Sequence, residues 1–283
     1  MRKSLTRTVA ILLTLAISVS ALWGEESISL SNEETPFEQP FVLSPLADGI
    51  IAGTGLSLAT SAVLCDKVFH IKPNNFSGAT LNAAGVPAFD RVFMNNYNKV
   101  LDHVGDGVLA LTLAAPAVMF ASPDSDWLTI GVMYAETIVL AQGIKEWGKL
   151  IVNRPRPYMY YDDYPQKEVD KGDWHNSMPS GHTTMAFTAA AFTSAVFDAY
   201  FPDSFWRHVV TGVSFGLAST VGIFRMCSGN HFLTDVLTGA AIGTLCGFAV
   251  PFFHSSTFHN MTNKNKNVDV AASPLGFNVA IKF

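Results

Sequence analysis

Charge is what this sequence has least of. Lys, Arg, Asp and Glu together make up 14% of the 283 residues, against roughly 25% in an ordinary soluble domain. With 49% hydrophobic residues, that deficit points to a membrane domain or a very apolar helical core. Basic residues are the minority, 18 against 23 acidic, for a net charge of −5. The chain therefore lacks the basic footprint of a nucleic-acid-binding protein. Cysteine is scarce too: Cys65, Cys227 and Cys246 are odd in number and form no CxxC pair. They build neither a disulfide framework nor a zinc site, and read as small buried apolar side chains. No repeat of solenoid period is present.

What is present begins with an export signal. Arg2, Lys3 and Arg7 precede an apolar run from Val9 to Ala21, with a small-residue cleavage site at Val19-Ser20-Ala21 and a second at Gly24. The run is shorter than the roughly 20 residues of a membrane span. This assigns 1–24 to a signal peptide and 25–45 to a polar linker rich in Glu, Ser and Pro. Six apolar stretches follow, at about 46–64, 104–121, 127–148, 181–201, 207–224 and 232–253, each of helical length and none with strand alternation. The expected fold is all-α, a six-helix bundle over 46–254, embedded in a membrane. The fourth and fifth stretches are rich in Ala, Thr, Ser and Gly, which suits close helix packing in a bilayer and in a soluble core alike. Residues 255–283 form a polar tail whose end, Phe277 to Phe283, alternates like a strand. It is similar to the last strand of an outer-membrane barrel, but one strand cannot close a barrel, so a short surface strand is expected.

Three motifs carry chemistry. In the first, Lys149 lies near the end of the third helix, and Pro155 and Pro157 stop that helix. Arg154 and Arg156 follow in an extended exit, so three cations stand together as an anion clamp. In the second, Pro179-Ser180-Gly181-His182, Ser180 is a natural N-cap for the fourth helix and Gly181 lets a ligand approach the backbone. The free N–H groups of a helix start attract anions, and His182 stands beside them. In the third, Arg225 precedes His231 by six and Asp235 follows it by four. His231 opens the sixth helix, and at that spacing Asp235 shares its face and can fix the imidazole. A metal site is the rival, weakened by the surrounding Lys and Arg.

Lys149, Arg156, Pro157, Pro179, Ser180, Gly181, His182, Arg225, His231 and Asp235 together resemble the three-part signature of the type 2 phosphatidic acid phosphatase (PAP2) family. That family also takes in class A acid phosphatases and vanadium haloperoxidases. The resemblance covers about 145–240 by motif. It implies a phosphatase acting on monoesters or diphosphates through a phosphohistidine, without metal or other cofactor. By the same resemblance His231 is the nucleophile, Asp235 its orienter and His182 the acid and then base. Lys149, Arg156, Arg225, Ser180 and the Gly181 N–H hold the phosphate oxygens. Phe224 stands where the family often has Ser, which puts one oxygen contact in doubt. The expected partner is a phosphorylated lipid in a bacterial membrane, with no nucleic acid and the oligomeric state left open. The expected location is the cell envelope, with the site on the periplasmic side. A cleaved signal followed by six full spans would instead bring the first two motifs to the cytoplasmic side, so span number and orientation stay open. Three alternatives remain: a soluble periplasmic acid phosphatase, a vanadium haloperoxidase, and an envelope protein with a degenerate site.

Overall fold

The computed structural model describes residues 39–69, 71, 80–264, 268–273 and 276–281. The expected signal peptide, 1–24, and most of the linker lie outside the described residues. Six long helices form the bundle: α1 (Pro45–Lys67), α3 (Lys99–Leu113), α4 (Trp127–Val152), α6 (Gly181–Tyr200), α7 (Trp206–Cys227) and α8 (Leu233–His254). Short helices α2 (Ala88–Arg91), α5 (Gln166–Asp170) and α9 (Ser256–Lys264) fill the connections. The polar tail ends in an antiparallel hairpin of β1 (Val268–Ser273) and β2 (Gly276–Ile281), in register Val270 to Val279. The fold is the six-helix bundle read from the apolar stretches.

The centre of the bundle is α6. Its buried face is made of Ala, Thr and Ser rather than large aliphatic residues. The buried hydroxyls bond back to carbonyls one turn earlier: Thr184 to Ser180, Thr188 to Thr184, Thr193 to Ala189 and Ser194 to Ala190, all at 2.7–2.8 Å. No polar group is thereby left open in an apolar surround. Small side chains let α8 approach closely. Gly239, Gly243 and Gly247 recur every fourth residue on its facing side, and a Cβ on Gly243 would stand 2.3 Å from the Thr184 carbonyl oxygen. The same device joins α1 to α4, where a Cβ on Gly55 would meet the Leu140 backbone at 2.8 Å. Close helix approach through small residues is the usual way to hold helices together where burial of apolar surface gives no drive.

Among the described residues five helical segments are long and apolar enough to cross a membrane, those at Pro45–Lys67, Lys99–Ala121, Asp124–Tyr160, Trp206–Cys227 and Leu233–His254. The expected sixth, α6, is not among them, because its Thr, Ser and His residues lower its hydropathy. The outer surface carries Leu111, Phe120, Val213, Ile223, Leu237, Leu245 and Phe252 at 53–70% exposure. An apolar belt of this extent fits lipid rather than water, and the chain is a membrane protein. Only one cysteine, Cys246, is buried as expected; Cys227 is exposed.

Candidate active site

The three motifs meet at one end of the bundle. α4 ends where Asn153 takes a left-handed conformation, φ 47°, a C-cap geometry that Asn tolerates. The chain then runs through Arg154 and Arg156 into a 3₁₀ turn begun by Pro157. Gly229, at φ 73°, turns the chain between α7 and α8. A Cβ there would stand 2.5 Å from the Asn95 and Asn96 carbonyls, so only glycine fits. Its carbonyl accepts the Tyr158 N–H at 3.1 Å, tying the first motif to the third.

His231 is 1% exposed. Its Nδ1 lies 2.7 Å from the Ser177 carbonyl oxygen. A carbonyl only accepts, so Nδ1 carries the proton and Nε2 keeps its lone pair, 3.5 Å from Arg156 Nη1. Burial first, then Arg156, Arg225, Lys149 and His182, push the imidazole well below its usual range, so it stays neutral.

Two details differ from the sequence expectation. His231 does not open α8 but stands in the turn before it, and its Nδ1 is 3.7 Å from Asp235 Oδ2. Asp235 is otherwise engaged: it accepts the Phe232 N–H at 2.8 Å, the Ser177 hydroxyl at 2.5 Å and Arg154 at 2.6 Å. It thus fixes the imidazole through the Ser177 segment rather than by direct pairing. Ser180 occupies the N-cap position, but its hydroxyl pairs with Thr183 Oγ1 at 2.9 Å and caps no backbone N–H. It is fully buried, while the next two residues at the start of α6, Gly181 and His182, line the cleft.

A cleft of about 320 Å³ is lined by Lys145, Lys149, Arg156, Asp173, Gly181, His182 and His231, with apolar Leu109 and Met185. A Cβ on Gly181 would stand 3.4 Å from Lys149 Nζ, so glycine keeps the helix start clear. A wider cleft of about 700 Å³ shares Arg156, Asp173 and His182, and adds Arg225 and Asn230 with Lys99, Lys167 and Lys171. Arg225 pairs with Asp102, while its buried Nε has no hydrogen-bond partner among the described residues.

Several members of the site were invisible to motif reading. α3 brings in Asp106, whose Oδ1 is 2.8 Å from His182 Nε2, and Asp102, which also accepts the Asn230 amide at 3.0 Å. Their spacing of four on one helix face was the available signal. Asp173 pairs with Arg156 at 2.5 Å; burial raises its carboxyl, but Arg156, Lys149 and His231 pull it below the usual range. Lys145 stands beside Lys149 and bonds Gln142 and Glu146 at 2.8 and 2.9 Å. Arg154, grouped with Lys149 and Arg156 as an anion clamp in the sequence reading, lines neither cleft and instead bridges buried Asp235 and Asp90, lying 4.0 Å over the Phe232 ring. It holds α2, α8 and the first motif together. Phe224 faces α3, where Gly105 makes room for it.

The arrangement brings together clustered cations, a helix start and a neutral imidazole whose free lone pair faces an arginine. The PAP2 superfamily model matches residues 130–258. Lipid A 1-phosphatase of Porphyromonas gingivalis is 28% identical over 171 residues, which is 60% of this chain and 34% of that protein. The chain thus spans about a third of that relative's length. Among solved structures, LpxE of Aquifex aeolicus is 25% identical with a TM-score of 0.40, covering 56% of this chain and 90% of its own. The transmembrane PAP2-type phosphatidylglycerolphosphate phosphatase of Bacillus subtilis is 24% identical with a TM-score of 0.39, covering 74% and 92%.

Proposed function

We propose that this protein is a lipid phosphatase that releases phosphate from a phosphorylated membrane lipid through a phosphohistidine at His231. The observation that carries the reading is the His231 tautomer. With Nδ1–H donated to the Ser177 carbonyl at 2.7 Å, the Nε2 lone pair faces the cation-lined cleft and can attack phosphorus. A P–N bond forms as the P–O bond to the lipid breaks. His182, its Nε2 paired with Asp106 at 2.8 Å, takes up a second proton on Nδ1 from solvent as the anionic phosphate binds beside it, and gives that proton to the leaving oxygen. It then takes a proton from the water that attacks phosphorus. That step breaks the P–N bond and frees inorganic phosphate.

Lys149, Arg156 and Arg225 balance the charge on the equatorial oxygens, and the first N–H groups of α6 add to the cradle. These cations take the part that bound metal ions play in other phosphoryl-transfer sites. In the absence of substrate Asp173 holds Arg156; an arriving phosphate competes for that arginine. A lipid substrate is supported by the apolar belt and by Leu109 and Met185 beside the cations. Lipid A, phosphatidic acid, phosphatidylglycerol phosphate and polyprenyl diphosphate are the substrates to compare, and a periplasmic site is the proposed orientation.

The test is phosphate release from these lipids in mixed micelles and from soluble monoesters, by the purified protein and by His231→Ala. At least one lipid is cleaved, and His231→Ala loses at least about 10³-fold. Substantial turnover by folded His231→Ala would sink the nucleophile. Release from soluble monoesters only would sink the lipid assignment.

A further inference from the structure

A second buried polar cluster lies at the opposite end of the bundle. α8 carries both: His231 just before its first residue and His254 as its last, a separation of roughly 35 Å at 1.5 Å per residue. Around His254 stand Asp48 of α1 and Glu136 of α4. His254 Nε2 is 2.8 Å from Asp48 Oδ1 and 3.3 Å from Glu136 Oε2, with side-chain exposures of 0, 13 and 6% in that order. One ligand atom from each of the three lies within 4.8 Å of the others. Residues 40–42 strap across this end, with the Val42 N–H on the His254 carbonyl at 2.8 Å and the Ser256 N–H on the Pro40 carbonyl at 3.0 Å.

The hydrogen bonding of this cluster does not close by itself. His254 Nδ1 lies 2.8 Å from the Val250 carbonyl oxygen, which can only accept, so Nδ1 carries a proton. Nε2 then faces two carboxylate oxygens, which also only accept. A neutral ring would turn its lone pair on two anions. With both carboxylates ionised, an imidazolium would still leave one negative charge in excess, buried among apolar helices. In addition, Asp48 Oδ2 and Glu136 Oε2 are buried and take part in no hydrogen bond, an expensive condition for carboxylates. A divalent cation resolves all three mismatches: it binds the Nε2 lone pair, balances both carboxylates and uses their open oxygens. The Nδ1–H to carbonyl contact is also the arrangement that orients a metal-ligating histidine.

We propose that Asp48, Glu136 and His254 bind a divalent transition-metal ion that pins α1, α4 and α8 together at the end of the bundle away from the reaction. One imidazole and two carboxylates suit zinc or manganese. Ligand bonds of about 2.0–2.2 Å require the 2.8 Å contact to open by some tenths of an ångström, which side-chain rotation supplies. The site is separate from His231, so it stands or falls apart from the phosphatase reading.

The test uses full-length protein in detergent, stripped with chelator, loaded separately with Zn²⁺ and Mn²⁺, and freed of excess metal by gel filtration. One of the two metals is expected to remain at about one ion per chain and to raise the melting temperature. X-ray absorption of the loaded sample should show nitrogen and oxygen donors without sulfur. Glu136→Gln and His254→Gln, near in size to the native side chains, are each expected to weaken retention at least about tenfold. Retention below about one ion per ten chains for both metals, sulfur ligation, or undiminished binding by both variants would overturn the site. If neither variant folds, stoichiometry and donor type in the unaltered protein decide the matter.

Discussion

The two ends of the bundle solve opposite electrostatic problems with the same helices. At the reaction end the tighter cleft presents Lys145, Lys149 and Arg156 against the single carboxylate of Asp173. At the far end two carboxylates converge on one imidazole. Both histidines use a backbone carbonyl to fix the proton on Nδ1, His231 through Ser177 and His254 through Val250. Only the surroundings differ. Burial and the cations about His231 keep its ring neutral, whereas carboxylates about His254 call for a positive charge. The ring chemistry is common, and the neighbouring helices decide what it is for.

Substitutions at the two ends should therefore separate cleanly. Arg156→Ala is expected to lower kcat for phosphate release by about 10²–10³-fold, because it removes a donor to the charge that develops on phosphorus. His254→Gln should leave kcat within about twofold, as expected of a distant, independent site. Equal losses in both variants would erase the distinction between the ends.

Gly243→Val attacks the link between them. Its side chain would enter the space of the Thr184 carbonyl, so a destabilisation of about 1–3 kcal/mol is expected, read as a lower thermal or denaturant midpoint. An unchanged midpoint would show that α6 and α8 have slack.

The pH dependence of stability sharpens the contrast further. His231 is held neutral when folded, and a freed histidine titrates near 6.5. Protonation then favours the unfolded chain, so this contribution is full above about pH 6.5 and shrinks as pH falls below it. Between pH 7.5 and 5.5 the loss from this one residue approaches about 1.4 kcal/mol. His231→Gln should lose correspondingly less over that interval. Asp106→Asn is expected to lower kcat about tenfold with a shifted pH profile, because the amide no longer stabilises a protonated His182. A loss of stability without any change in pH profile would make Asp106 structural only.

Much of this was legible along the chain. Apolar runs bounded by Pro, Gly and Asn placed five of the six long helices within a few residues; the second run, 104–121, overshoots α3, which ends at Leu113 and gives way to a 3₁₀ segment at Ala115–Ala121. Lys149, Arg156, His182, Arg225 and His231 could be nominated because each sits in a short, chemically distinctive segment, and they converge on adjoining clefts. Asp102, Asp106, Asp173 and Lys145 could not be, since an isolated acid or lysine looks the same on any solvated helix. Their roles arise from partners as many as 128 residues away. Ser180 and Asp235 were found in their expected positions, but with hydrogen bonds that local spacing does not set.

By itself, then, the sequence determined the helices, the membrane character and which histidines and cations to nominate for the site. Those follow from local periodicity, composition and short-range motifs. The tertiary structure decided which hydrogen bond fixes His231, which carboxylates hold His182, Arg156 and Arg225, and that Asp48, Glu136 and His254 meet at all. Each of those depends on how closely helices distant in the chain approach, and that distance is set by small residues packing across helix faces.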